Sequence, residues 1–162
     1  MGGQQFLSGG TLLDMRRLNR VRSLDLDRGL LEVEAGILWP DVIRAYLARP
    51  DGRHCRWGIR QKQTGADRLT IGGAMAANIH GRGLTAPPFI GDLESLEIVT
   101  ADGEVVRCSR QQRPELFRHV VGGYGRRMAA RSKTRISVPN QMPHSSACVL
   151  INPPENCGVS PS

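Results

Sequence analysis

Residues 63–83 read Gln63-Thr64-Gly65-Ala66-Asp67-Arg68-Leu69-Thr70-Ile71-Gly72-Gly73-Ala74-Met75-Ala76-Ala77-Asn78-Ile79-His80-Gly81-Arg82-Gly83. The pattern predicts a loop that becomes a short helix of very small residues, with Thr70 as its N-cap. Gly72, Gly73, Ala74, Ala76 and Ala77 leave the backbone bare. Bare amides at a helix start attract phosphate, because the N–H groups and the helix dipole both point at the anion. The competing reading is a tight helix–sheet contact, in which glycine permits close approach. The glycine spacing fits neither a Rossmann fingerprint nor a Walker loop, and no Gly-Lys-Ser/Thr follows.

The flanking sequence alternates strand and helix signals. Upstream, Leu31, Val33 and Ala35 share one face of a strand, and Glu32 and Glu34 share the other, which predicts one wet side. Leu24 and Leu26 alternate with Ser23, Asp25 and Asp27, and Asp27-Arg28-Gly29 closes a hairpin. Trp39, Val42, Ile43, Tyr46 and Leu47 then form one helical stripe, with Pro40 in the first turn and Pro50-Asp51-Gly52 as the stop. Downstream, Ser95 to Cys108 reads as a second hairpin about Ala101-Asp102-Gly103-Glu104, with Leu96 and Ile98 on one face. Pro114 opens a helix carrying Leu116, Phe117, Val120 and Val121, closed by Gly122-Gly123. The fold class is α+β.

At 162 residues, 40% hydrophobic and 23% charged, the chain has the composition of a soluble globular protein. Its apolar runs are too short for a membrane span, and its opening does not resemble a signal peptide. A cytoplasmic location is expected. Cys55, Cys108, Cys148 and Cys157 form no Cys-x-x-Cys pair, so reduced thiols are expected, and no metal.

The net charge of +7 is unevenly spread. Residues 1–125 hold 17 basic and 14 acidic residues, whereas residues 126–162 hold five basic residues and only Glu155. Eighteen of the 19 glycines precede residue 126. Beyond Gly125 the apolar periodicity stops. Three readings compete for 126–162: a disordered C-terminal tail, an out-of-frame stretch never selected to fold, or a basic nucleic-acid arm. The arm reading lacks any aromatic for base stacking, and it predicts salt-sensitive affinity. The out-of-frame reading is preferred, and no nucleic acid is expected as a partner.

The ordered series GGQQF, LDM, LNRV, VEAGILWPDV, QTGADRLTIGGAMAANIHGRG, IGDLESLEIVTADGEVV, ELF and GGYG covers residues 1 to about 125. It resembles the FAD-binding domain of the vanillyl-alcohol oxidase / para-cresol methylhydroxylase (PCMH) type, the FAD-linked oxidase family. The resemblance implies an antiparallel sheet with flanking helices, FAD as cofactor, and hydride transfer from a substrate carbon to the flavin N5. Gly2, Gly3 and Gln4 resemble the end of the first phosphate loop. Gly65, Ala66 and Asp67 resemble the stretch beside the cofactor. Thr70, Gly72, Gly73, Ala76 and Ala77 resemble the helix start at the pyrophosphate and ribityl chain, and His80-Gly81 the following turn.

His80 is expected to shape that turn or touch cofactor, and no catalytic acid or base is assigned. His54, His119 and His144 carry no partner pattern. Compared with the family pattern, the first subdomain and the substrate domain are expected to be missing, and Arg126-Arg127-Met128 stands where a turn and strand are expected. The expected product is an incomplete domain, 1–125, followed by the 126–162 tail. The alternative is a relic that no longer binds FAD, since lost strands expose sheet edges.

Overall fold

The computed structural model describes residues 8–9, 13–48, 59, 62, 65–81, 87–124 and 133–137, the last as backbone. Strands β1 (Val21–Asp25) and β2 (Leu30–Glu34) form the first hairpin, with Leu24 opposite Leu31 and Asp25 opposite Leu30. Gly29 takes φ +61° in the turn, where only glycine is unstrained. Asp25 holds the same turn by accepting from the Asp27 and Arg28 amides through Oδ1 at 3.1 and 3.0 Å. Helix α1 (Trp39–Leu47) follows with Pro40 in its first turn, where a missing donor costs nothing. It buries Trp39, Val42 and Tyr46, while Leu47 lies exposed at the last turn.

A 3₁₀ turn (Ala66–Arg68) leads into helix α2 (Ile71–Ala76), and a second 3₁₀ turn (Phe89–Asp92) leads into β3 (Ser95–Val99). Strand β3 pairs antiparallel with β4 (Val105–Ser109), so Leu96 faces Cys108 and Ile98 faces Val106. Helix α3 (Pro114–Val120) packs against β4. The two hairpins share one apolar cluster. Leu31 and Val33 of β2, Trp39 and Val42 of α1, Ile71 and Met75 of α2, Leu96 and Ile98 of β3 and Phe117 of α3 all belong to it. Trp39 and Phe89 meet edge to face with ring centroids 5.9 Å apart, which locks the second 3₁₀ turn onto α1. Cys108 is a free, fully buried thiol, and burial pushes its pKa up.

Two features depart from the alternation in the sequence. Glu34, expected on a wet face, is buried. Its carboxylate accepts from the Arg20 amide at 3.0 Å and pairs with Arg22 Nε at 3.2 Å. The segment ahead of β1 folds back over the end of β2, where the Glu34 amide in turn donates to the Arg20 carbonyl at 3.0 Å. Burial here is offset by an ion pair and a charge-assisted hydrogen bond, as a buried carboxylate requires.

The second departure is β5 (Lys133–Ser137), a strand inside the stretch whose periodicity had stopped. It pairs antiparallel with β2, Ile136 opposite Leu31 and Thr134 opposite Val33, giving the sheet order β1-β2-β5. β5 also runs close to β3, so it bridges the two hairpins. The signal in sequence is three alternating residues, Thr134-Arg135-Ile136, too short to separate from chance.

Gly36 explains the small residue in the segment joining β2 to α1. A Cβ there would stand 1.9 Å from the Met15 carbonyl oxygen and 2.8 Å from that of Leu18. Its own amide donates to Leu18 at 2.8 Å. Gly36→Ala is therefore expected to push the 15–20 segment off β2 and to destabilise the chain by about 1–3 kcal/mol or more. The urea midpoint of the purified protein measures this, and an unchanged midpoint would contradict the contact.

Candidate functional site

Helix α2 is placed by main-chain hydrogen bonds as well as by its buried Ile71, Ala74 and Met75. The Ile71 amide donates to the Ile37 carbonyl at 2.9 Å, and the Gly72 amide donates to the Ala35 carbonyl at 2.7 Å. Thr70 and Leu38 form an antiparallel bridge beside these bonds. Thr70 caps the helix as its sequence position predicts: Oγ1 accepts from the Gly73 amide at 3.0 Å, and the Thr70 carbonyl accepts from the Ala74 amide at 2.8 Å.

The first amides of α2 are thus not bare. Those of Ile71, Gly72 and Gly73 each have a protein acceptor, so the physical argument for phosphate at this helix start does not hold as it stood. Gly72 instead answers to the competing argument. A Cβ on it would lie 2.9 Å from both the Cβ and the carbonyl oxygen of Ala35, so glycine is what lets α2 lie against the end of β2.

The other small residues remain accessible. Gly73, Ala76, Ala77 and Gly81 are partly exposed, and Gly65 is exposed. Gly65 has φ +81°, and a Cβ there would meet nothing within 4 Å, so the main chain lies open at that point. Ala66 is buried, anchoring the 3₁₀ turn, while Asp67 is exposed and pairs with Lys62 Nζ at 2.7 Å. Arg68 beside it is exposed as well. Gly2, Gly3 and Gln4 lie outside the described residues.

The far end of α2 is clamped from two directions. From one side the Phe89 amide donates to the Ile79 carbonyl at 2.8 Å, and the Ile90 amide donates to Asn78 Oδ1 at 3.0 Å. From the other the Gly122 amide donates to Met75 at 3.0 Å and the Tyr124 amide to Ala76 at 2.9 Å. Asn78 and Tyr124 hold left-handed φ of +43° and +52°, and Gly122 one of +81°. Non-glycine residues in that region are strained, and such strain concentrates at functional sites.

His80 follows this clamp, exposed, with Nδ1 3.1 Å from the carbonyl oxygen of Gly81. His119 is also exposed, with Nδ1 2.7 Å from the Glu115 carbonyl oxygen, and His54 and His144 lie outside the described residues. Among the described residues no group of three or more His, Cys, Asp or Glu side chains could hold a metal ion. No helix among them is long and apolar enough to cross a membrane.

The sequence reading missed Asn78 as a structural hub, and gave Gly122-Gly123 a helix-ending role and a place in the GGYG motif but no contact with α2. A polar residue between Ala77 and Ile79 at the end of an alanine-rich helix was the one available signal.

The two glycines of α2 separate by experiment. Gly72→Ala is expected to cost about 1–3 kcal/mol by overpacking against Ala35. Gly73→Ala meets only the tip of Leu69, at 3.0 Å, and the Thr70 hydroxyl, at 3.2 Å, and should cost less. Thr70→Ala should cost about 1 kcal/mol through the lost cap. Urea unfolding of the three variants checks the order; equal losses at Gly72 and Gly73 would refute the packing assignment.

Accessible main chain at Gly65, Gly73, Ala76, Ala77 and Gly81 thus lies along one stretch with the exposed side chains of Asp67, Arg68 and His80. Residues 1–109 match the family described as FAD binding domain. The chain is 32% identical to cytokinin dehydrogenase 2 of Arabidopsis thaliana over 126 residues, which are 77% of this chain and 24% of that protein. It is 34% identical over 124 residues to decaprenylphosphoryl-beta-D-ribose oxidase of Mycolicibacterium smegmatis, covering 72% of this chain and 24% of that one. An uncharacterized oxidoreductase from the fasciation locus of Rhodococcoides fascians is 34% identical over 123 residues, 76% of this chain and 26% of that one. The chain thus spans about a quarter of the length of the curated relatives it matches. With its paired antiparallel hairpins, its pinned small-residue helix and this match over residues 1–109, the chain belongs to the FAD-linked oxidase family with a PCMH-type FAD-binding domain, and its cofactor is FAD.

Proposed function

We propose that this chain supplies the FAD-binding surface of an oxidoreductase that takes hydride from a substrate carbon. The observation that carries the reading is the helix α2, fixed in place by carbonyls of residues 35 and 37, with partly exposed glycine and alanine at Gly73, Ala76 and Ala77. FAD, when bound, supplies the redox chemistry by accepting a hydride at N5 and passing the electrons to oxygen or another acceptor.

The chain's own residues bind and position. Gly65, Ala66 and Asp67 present main chain along the cofactor. Thr70, Gly72 and Gly73 set the angle of α2, and Ala76 and Ala77 leave room for the ribityl and pyrophosphate portions. His80 and Gly81 shape the turn that follows, His80 through its contact with the Gly81 carbonyl, and it is given no acid–base role. Gly2, Gly3 and Gln4 are proposed as further contacts to the phosphates. The same reading takes no nucleic acid and places the chain in the cytoplasm, where Cys108 stays a thiol.

Titration of the purified 162-residue chain with FAD, followed by flavin fluorescence, tests the proposal. Saturable binding is expected, weakened at least tenfold by Ala77→Leu, which adds bulk at a partly exposed position that borders the core; an unchanged urea midpoint separates lost binding from lost fold. A folded chain with no saturable binding would instead favour the relic reading.

A further inference from the structure

Arg110 is a surface arginine whose charge has no carboxylate partner among the described ion pairs, yet its guanidinium is fully directed. Nη1 donates to the Leu93 carbonyl at 2.7 Å, and Nη2 donates to the Ile90 carbonyl. Ile90 lies within the Phe89–Asp92 turn, where its carbonyl also accepts from the Leu93 amide at 3.3 Å, and Leu93 is the residue that closes the turn. The guanidinium carbon also lies 5.7 Å from the centroid of Phe117, a buried residue of α3.

Arg110 touches one of the two clamps on the end of α2 directly, the Phe89–Asp92 turn, and rests on Phe117 of α3, the helix that leads into the other. The turn donates to Ile79 and Asn78, and the loop leaving α3 donates to Met75 and Ala76. Ala76 and Ala77 have no side-chain reach of their own, so the place of this end depends on those four hydrogen bonds. One planar fork, gripping two carbonyls and resting on a ring, ties the Phe89–Asp92 turn to α3.

We infer that Arg110 is a positioning residue for the cofactor-facing end of α2, acting through the Phe89–Asp92 turn and Phe117 rather than by touching FAD. The inference rests on the FAD reading above and adds a residue to it. Lysine cannot replace the fork: it offers one flexible ammonium and no planar face, so charge alone does not restore the geometry.

The test uses Arg110→Lys and Arg110→Ala in the full chain, with Arg118→Ala as a control. Arg118 pairs with Glu115 on the exposed side of α3. Three quantities are read: FAD affinity, the visible circular dichroism of bound flavin, and amide exchange at Phe89 and Ile90. Both Arg110 variants should bind FAD at least tenfold more weakly and change the dichroism at saturation. Exchange at Phe89 and Ile90 should accelerate while the β1–β2 amides stay protected, and Arg118→Ala should match the parent throughout.

Parent-like FAD affinity in Arg110→Lys would overturn the inference, because charge would then suffice. Faster exchange with unchanged affinity and dichroism would overturn it too, leaving Arg110 a structural staple only. If Arg110→Ala does not fold, Arg110→Lys carries the same readouts. A parent chain that binds no FAD would refute the functional reading itself, whereas a parent that binds beside variants that bind equally well would refute only the role of Arg110.

Discussion

Two hydrogen bonds from the start of α2 to the carbonyls of Ala35 and Ile37 fix where α2 meets the end of β2. They require α2 to approach the end of β2 closely, and Gly72 is the residue that allows it. Everything downstream inherits its position from this contact: the clamp at Asn78 and Ile79, the Phe89–Asp92 turn, and through Trp39 and Phe89 the packing of that turn on α1. A side chain on residue 72 would separate hairpin from helix, and the apolar cluster that spans both hairpins would open between them.

The same contact explains why glycine-rich sequence is ambiguous. A run of glycine and alanine at a helix start reads equally well as a phosphate cradle or as a packing surface, because both need backbone without side chains. In this chain the two roles fall on different residues of one run. Gly72 is spent on packing, while Gly65, Gly73, Ala76 and Ala77 keep accessible surface. The amides of α2 are committed to protein acceptors, so what the helix offers a cofactor is its shape and lack of bulk.

Charged residues show the same division between local pattern and global placement. Glu34 alternates correctly for a wet strand face, yet the segment at Arg20 and Arg22 folds over it and buries the carboxylate in partners. Arg110 sits in a polar link between β4 and α3, with nothing in its neighbours to mark it, and becomes a two-carbonyl grip because the Phe89–Asp92 turn ends beside it.

Both hairpins, the helices at Trp39 and Pro114, and the Thr70 cap were legible in the residues themselves, since each depends on contacts within a few positions: alternation, turn glycines, a proline at a helix start, a hydroxyl three residues before its amide. The order of family motifs likewise marked the FAD-binding domain. Only the tertiary structure decided which amides of α2 were already taken, where Glu34 went, that Arg110 grips the Ile90 and Leu93 carbonyls, and that Lys133–Ser137 joins β2. Those outcomes depend on hydrogen-bond partners far away in the chain, and a backbone donor or acceptor carries no mark in the sequence of the partner it will meet.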